Sequence, residues 1–249
     1  MRLSSTKNLI ATALTAMLMA SCADSESMRQ QASHTSHMQK AEGDSTIYGL
    51  ACEGCNDTII VMLTNIDLQP DTFNVLQASM LHRVFGRVKT GDEIAIVPNR
   101  EDGTTADMVI DLQQMKDSWC YMVTPQLRRR ASISDSLHQQ MLLNMPDSVR
   151  RRLLKPVEFG FTLEGNHIVR SIGMIPQQSR DNSPVVYPKV KRYREWHIFN
   201  GRLVLSNANT DTLRRNIPTV SDTAEFVQLR RDTLVLRFTN GTQQQYYRK

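Results

Sequence analysis

No stretch of this sequence is both long and apolar enough to be a membrane-spanning helix. The apolar run Leu9–Ala20 falls short of the roughly 20 residues that crossing a bilayer requires. A strong charge of one sign is also lacking. The chain carries 30 basic and 25 acidic residues; with Arg2 and Lys7 in a leader expected to be removed, 28 basic face 25 acidic, a net of +3. That excess is too mild to argue for a nucleic-acid partner. There is no GxSxG elbow, no phosphate loop and no clear carboxylate pair. His82, His138, His167 and His197 fall on four separate segments without ligand spacing, so no metal and no cofactor is expected. These absences argue against an enzyme.

What is present begins with an address. Arg2 and Lys7 form a short basic head before the apolar run Leu9–Ala20, the composition of a signal peptide over residues 1–21. Leu18-Met19-Ala20-Ser21-Cys22 resembles the lipobox of bacterial lipoproteins, with Met19 a tolerated residue at its position. The resemblance implies acylation of Cys22 and attachment to a membrane, since each buried methylene contributes about 0.8 kcal/mol. Ala23 after that cysteine gives no inner-membrane retention signal, which favours the outer membrane, facing periplasm or exterior. Residues 22–45 are rich in Ser, Gln, Asp, Glu, His and Met without apolar periodicity, and read as a flexible tether. His34 and His37 within it read as solvated polar residues.

The rest alternates β-branched runs with turn residues, an all-β pattern in two blocks. Residues 46–111 hold candidate strands at Thr46–Leu50, Thr58–Leu63, Thr72–Ala78, His82–Val88, Glu93–Val97 and Ala106–Leu112, a small barrel or sandwich of OB-like kind. Residues 112–249 hold eight more: Asp117–Val123, Val157–Leu163, His167–Met174, Lys191–Phe199, Arg202–Leu205, Ala224–Leu229, Thr233–Thr239 and Gln243–Arg248. Asn200-Gly201 and Asn240-Gly241 each mark a hairpin of type I′. An eight-strand meander closing on itself removes its edges. A helical insertion follows the first of these strands, with Ser134-Asp135-Ser136 as N-cap choices and Pro146 opening a second short helix. Arg128-Arg129-Arg130 and Arg150-Arg151-Arg152 invite a phospholipid or polyanion reading, against the plainer one of a solvated helix face or loop beside the barrel mouth.

The second block resembles the lipocalin-like lipoproteins of Gram-negative bacteria, a subset of the calycin barrels. The residues that carry the likeness are Trp119, Glu158–Leu163, Ser171–Met174, Trp196 before Asn200–Leu205, Asp232–Leu236, and Tyr246-Tyr247-Arg248. It departs from the pattern at Asp117, where the family usually places glycine two residues before the opening tryptophan. The resemblance implies an up-and-down barrel. Trp119 and Trp196 are expected either to close the barrel floor or to line a ligand pocket. Small barrels of eight strands are filled by side chains or hold one small ligand.

Cys52-Glu53-Gly54-Cys55 is the sharpest chemical feature. Such a pair can close a small disulfide, bind a soft metal or exchange thiols, and an exported compartment favours the disulfide. Gly49–Cys55 also resembles the CxxC segment of NlpE-type envelope-stress lipoproteins. Cys120, beside Trp119, has no evident partner and reads as a buried core thiol. The function expected from these features is a non-catalytic, membrane-anchored binding or interaction module for a small apolar ligand or an envelope protein. The alternative is an envelope redox or metal stress sensor working through Cys52 and Cys55.

Overall fold

The computed structural model describes residues 42–64, 69–128, 134–174, 183–207 and 221–249. The leader, Cys22, His34, His37, Arg129 and Arg130 lie outside them. The described residues belong to a compact unit running from Glu42 to Lys249. They are dominated by strands, as the β-branched runs predict, in two main sheets.

The first sheet contains β1 (Ile47–Ala51), β2 (Ile59–Thr64), β3 (Pro70–Asn74), β4 (Val84–Phe85), β5 (Glu93–Pro98) and β6 (Ala106–Asp111), in the order β3-β2-β1-β5-β6-β4. A parallel bridge from Asn74 to Thr105, with the Asn74 amide donating to Thr104 O at 2.9 Å, brings the end of β3 against the start of β6. The sheet thus curls nearly closed, the OB-like arrangement expected. Two predicted strands are shorter than their β-branched content suggests. Asn74 Oδ1 accepts the Leu76 amide at 3.0 Å and turns the chain into helix α1 (Leu76–Met80), which overturns Thr72–Ala78 as a continuous strand. In His82–Val88 only β4 is extended, because His82 and Gly86 take positive φ on either side of it. Asp111 ends β6 by capping α2 (Leu112–Met115), its carboxylate accepting the Gln114 amide at 2.8 Å.

The second sheet is built from β7 (Ser118–Val123), β9 (Val157–Leu163), β10 (Val169–Ile172), β12 (Glu195–Phe199), β13 (Arg202–Ser206), β14 (Ser221–Leu229), β15 (Thr233–Phe238) and β16 (Gln243–Arg248). Every neighbouring pair is antiparallel, and the last strand returns to the first, with Tyr247 opposite Cys120. The remaining gap is spanned by a bridge between Ile168 and Glu195 and by the Val169 amide on Arg194 O at 2.7 Å. The result is a nearly closed up-and-down barrel of eight strands, each matching one expected from the sequence. A small ribbon pairing β8 (Gln126–Leu127) with β11 (Val185–Val186) was not foreseen. The helical insertion forms α3 (Asp135–Leu143) and α4 (Asp147–Leu153). Ser134 caps α3, and neither helix contains a buried residue.

The Asn200-Gly201 hairpin has the expected type I′ signature, with φ of 48° and 75°. The Asn240-Gly241 hairpin does not. Only Gly241 is positive, and the Phe238 amide bonds Thr242 O at 2.9 Å across a three-residue loop, the type I turn with a glycine bulge.

The barrel is filled by its own side chains over most of its length, Trp119, Trp196, Leu203, Leu205, Leu234 and Leu236 among them. Phe85, Ile110, Leu112 and Met115 from the first sheet and its helix join this same cluster. Phe85 and Phe226 place their rings 5.5 Å apart, and the Gly86 amide donates to Leu229 O at 3.2 Å. Opposite sides of the joint are therefore sewn through backbone as well as side chains. A second core, with Ile60, Met62, Phe73, Ile94 and Ile96, lies within the first sheet.

A candidate binding site at the barrel mouth

Trp119 and Trp196 are both almost fully buried, and each indole N–H is satisfied by main chain. Trp119 Nε1 donates to Met115 O at 2.8 Å and Trp196 Nε1 to Glu164 O at 2.9 Å. Arg248 lies over the Trp119 ring, 5.1 Å from its centroid, and His167 faces Trp196 at 4.9 Å. These two tryptophans lie in the apolar core at the packed floor of the barrel and are not among the residues lining its hollow end. Burial holds the His167 imidazole below its ordinary pKa, so the ring packs against Trp196 in its neutral form.

The hollow lies away from this floor. A cavity of about 170 Å³ opens between Tyr121, Phe161, Tyr193, Phe238 and Tyr246, with Asp222 on its wall. Strand alternation places these groups: Tyr121 is two residues beyond Trp119 on β7, and Tyr246 two before Arg248 on β16. Tyr121 meets Tyr246 edge to face at 5.4 Å, and Phe161 meets Tyr246 at 5.2 Å. Tyr193 donates to Asp222 Oδ2 at 2.6 Å while Lys191 Nζ holds Oδ1 at 2.5 Å, so the carboxylate is locked on both oxygens. Burial raises the pKa of Tyr121, Tyr193 and Tyr246 above the usual phenol value, with the Asp222 hydrogen bond and charge adding to the rise at Tyr193. Neutral phenols can donate and accept hydrogen bonds but do not supply a base near neutral pH. In the sequence Tyr246 stands out only within the family pattern, and Tyr121, Tyr193 and Asp222 are not marked as site residues. Period-two spacing from Trp119 was the signal for Tyr121; Tyr193 and Asp222 meet across 29 residues, which spacing does not reveal.

Cys52 and Cys55 sit on the turn between β1 and β2, apart from the barrel mouth, and both are free thiols in the structure; the small disulfide expected there is not formed. Cys55 Sγ accepts the Val61 amide at 3.4 Å and reaches Cys52 O at 3.2 Å. Cys120 is free and buried, and burial raises its thiol pKa. Among the described residues no group of three or more His, Cys, Asp or Glu is placed to hold a metal. No described helix is long and apolar enough to cross a membrane. Comparison with protein families, with curated proteins and with solved structures finds no match to this chain.

Proposed function

We propose that this chain is a lipid-anchored envelope protein, non-catalytic and lipocalin-like, whose barrel mouth binds one small ring-shaped molecule. The observation that carries the binding part is the cavity of about 170 Å³ ringed by aromatic side chains with phenol hydroxyls and a carboxylate among them. Its size selects the ligand class. A cavity of about 150 Å³ accepts benzene, whereas drug-sized ligands occupy roughly 300–1,000 Å³. A fatty acid or steroid is too large for this mouth; a single ring bearing a hydroxyl fits it in volume and in polarity. The anchoring part rests on the lipobox at Cys22.

Phenol is a suitable probe. Titrated into the isotopically labelled chain, it is expected to shift amide resonances of Tyr121, Phe161 and Tyr246 and to saturate. Leu substitution of Tyr246 should weaken it while far-ultraviolet circular dichroism stays unchanged. Shifts scattered over the surface, or equal binding by the Tyr246→Leu chain, would remove the mouth as the site. Labelled palmitate should enter the wild-type protein and not a Cys22→Ser variant.

A second reading uses the thiol pair, because Cys52 and Cys55 stand on one turn, with Cys55 Sγ against the Val61 N–H at 3.4 Å and Cys52 O at 3.2 Å. In that reading Cys52 and Cys55 sense redox state or a soft metal. Replacing both with serine should abolish an envelope-stress response at unchanged melting temperature. A variant that only melts earlier would mark the pair as structural.

A further inference from the structure

The joint between the two sheets gathers more positive charge than the carboxylates beside it balance. Three backbone hydrogen bonds align the segments: Gly86 on Leu229 O at 3.2 Å, Arg230 on Thr233 O at 2.8 Å and Arg248 on Asp232 O at 2.9 Å. The first sets Arg87 beside Arg230, and the last sets the end of β16 beside the turn carrying Arg231. Arg87, Lys89, Arg230, Arg231 and Arg248 thereby line one cleft of about 610 Å³, against two carboxylates, Asp92 and Asp111. Each accepts a backbone amide from the wall of the cleft, Asp92 from Lys89 and Asp111 from Gln114, both at 2.8 Å, and five basic side chains outnumber the two carboxylates. Arg87, Lys89, Arg230 and Arg231 form no ion pair among the described residues.

Arg248 is the organised member of the set. Its guanidinium is stacked on Trp119, Nη2 donates to Gln114 O at 2.8 Å, and Asp117 lies 3.3 Å from Nε. One side of the fork is thus fixed, while the side chain remains about a quarter exposed toward the cleft. A guanidinium already immobilised by stacking loses less freedom when it takes an oxyanion, and its planar donors match two oxygens at once.

We infer that this cleft is a binding site for a phosphoryl group, with Arg248 as the fixed fork and Arg230 and Arg231 closing over the anion from the β14–β15 turn. The group belongs either to a free phosphorylated small molecule or to a lipid headgroup. This site is separate from the barrel mouth and stands whether or not phenol binds there.

The test uses the full chain with inorganic phosphate as probe, followed by calorimetry at low ionic strength. Saturable binding is expected, weakened about tenfold or more by R230A/R231A and by R248K, since a charge-assisted hydrogen bond contributes about 1.5–3 kcal/mol. The exposed pair Arg150 and Arg151 on α4 provides the control: R150A/R151A removes equal charge and should bind as wild type. Sedimentation with phosphatidylcholine vesicles, with and without phosphatidic acid, separates the sources. Capture only by phosphatidic acid vesicles, lost in R230A/R231A, assigns a headgroup. Phosphate binding without capture assigns a soluble ligand. Absence of saturable phosphate binding, or equal weakening by R150A/R151A, overturns the site and reduces the cleft to a solvated charged face.

Discussion

With φ near 48°, Asn200 occupies a conformation that few residues other than glycine adopt readily, and its side chain works as hard as its backbone. Oδ1 accepts the Ser45 amide at 2.8 Å and the Ser45 hydroxyl at 2.7 Å, Nδ2 reaches Gly43 O at 3.1 Å, and the Asn200 amide donates to buried Asp44 at 2.9 Å. The dipeptide Asn200-Gly201 announced the turn; nothing in sequence announced partners more than 150 residues away. Asn200→Ala combines lost hydrogen bonds with a poorer fit to positive φ, and should lower unfolding free energy by about 2–4 kcal/mol in urea titrations. Asp111 offers a test in pH. Burial lifts its carboxyl from 3.8 to about 6, outweighing the hydrogen bond from Gln114 that acts to lower it. The folded state therefore binds the proton more tightly, so this contribution to stability is complete below about pH 4 and is lost as pH rises through 6. Asp111→Asn keeps the cap and removes the titration. The difference in stability between variant and wild type should change by about 1–3 kcal/mol across that window and be flat above it.

At the level of elements, alternation and turn chemistry revealed all eight barrel strands, because a half-buried strand must alternate and a hairpin must reverse within a few residues. The same rules failed where a side chain competes with the ladder, as Asn74 does when it bonds the Leu76 amide and ends β3. Gly160 shows another determinant that composition conceals. A Cβ at this position would overlap the Trp119 carbonyl across the β7–β9 pair. Gly160→Ala should force these strands apart and destabilise the barrel by at least about 2 kcal/mol, visible as an earlier melt in circular dichroism. Of the candidate site, the floor tryptophans were legible as large apolar groups on strands, whereas the mouth was not. Its polar wall depends on Tyr193 and Asp222 arriving from separate strands and loops.

Across the whole molecule, the two blocks distinguished by strand pitch share one apolar cluster, since Phe85, Ala95 and Ile110 pack with barrel residues. Residues 112–249 expressed alone would leave that surface open, and are expected to aggregate or bind a hydrophobic dye where the full chain does not. Denaturant unfolding followed by tryptophan fluorescence, which reports only the barrel, should coincide with that followed by circular dichroism over both sheets. Separate transitions would show two independent folding units. The clasp at Asn200 has a mechanical meaning too. A load applied ahead of Glu42 reaches the Gly43–Ser45 segment first, and is there handed sideways to the tip of the β12–β13 hairpin. A pull from that direction thus shears a set of short bonds against a rigid cylinder wall, rather than unzipping β1 from its neighbours one rung at a time.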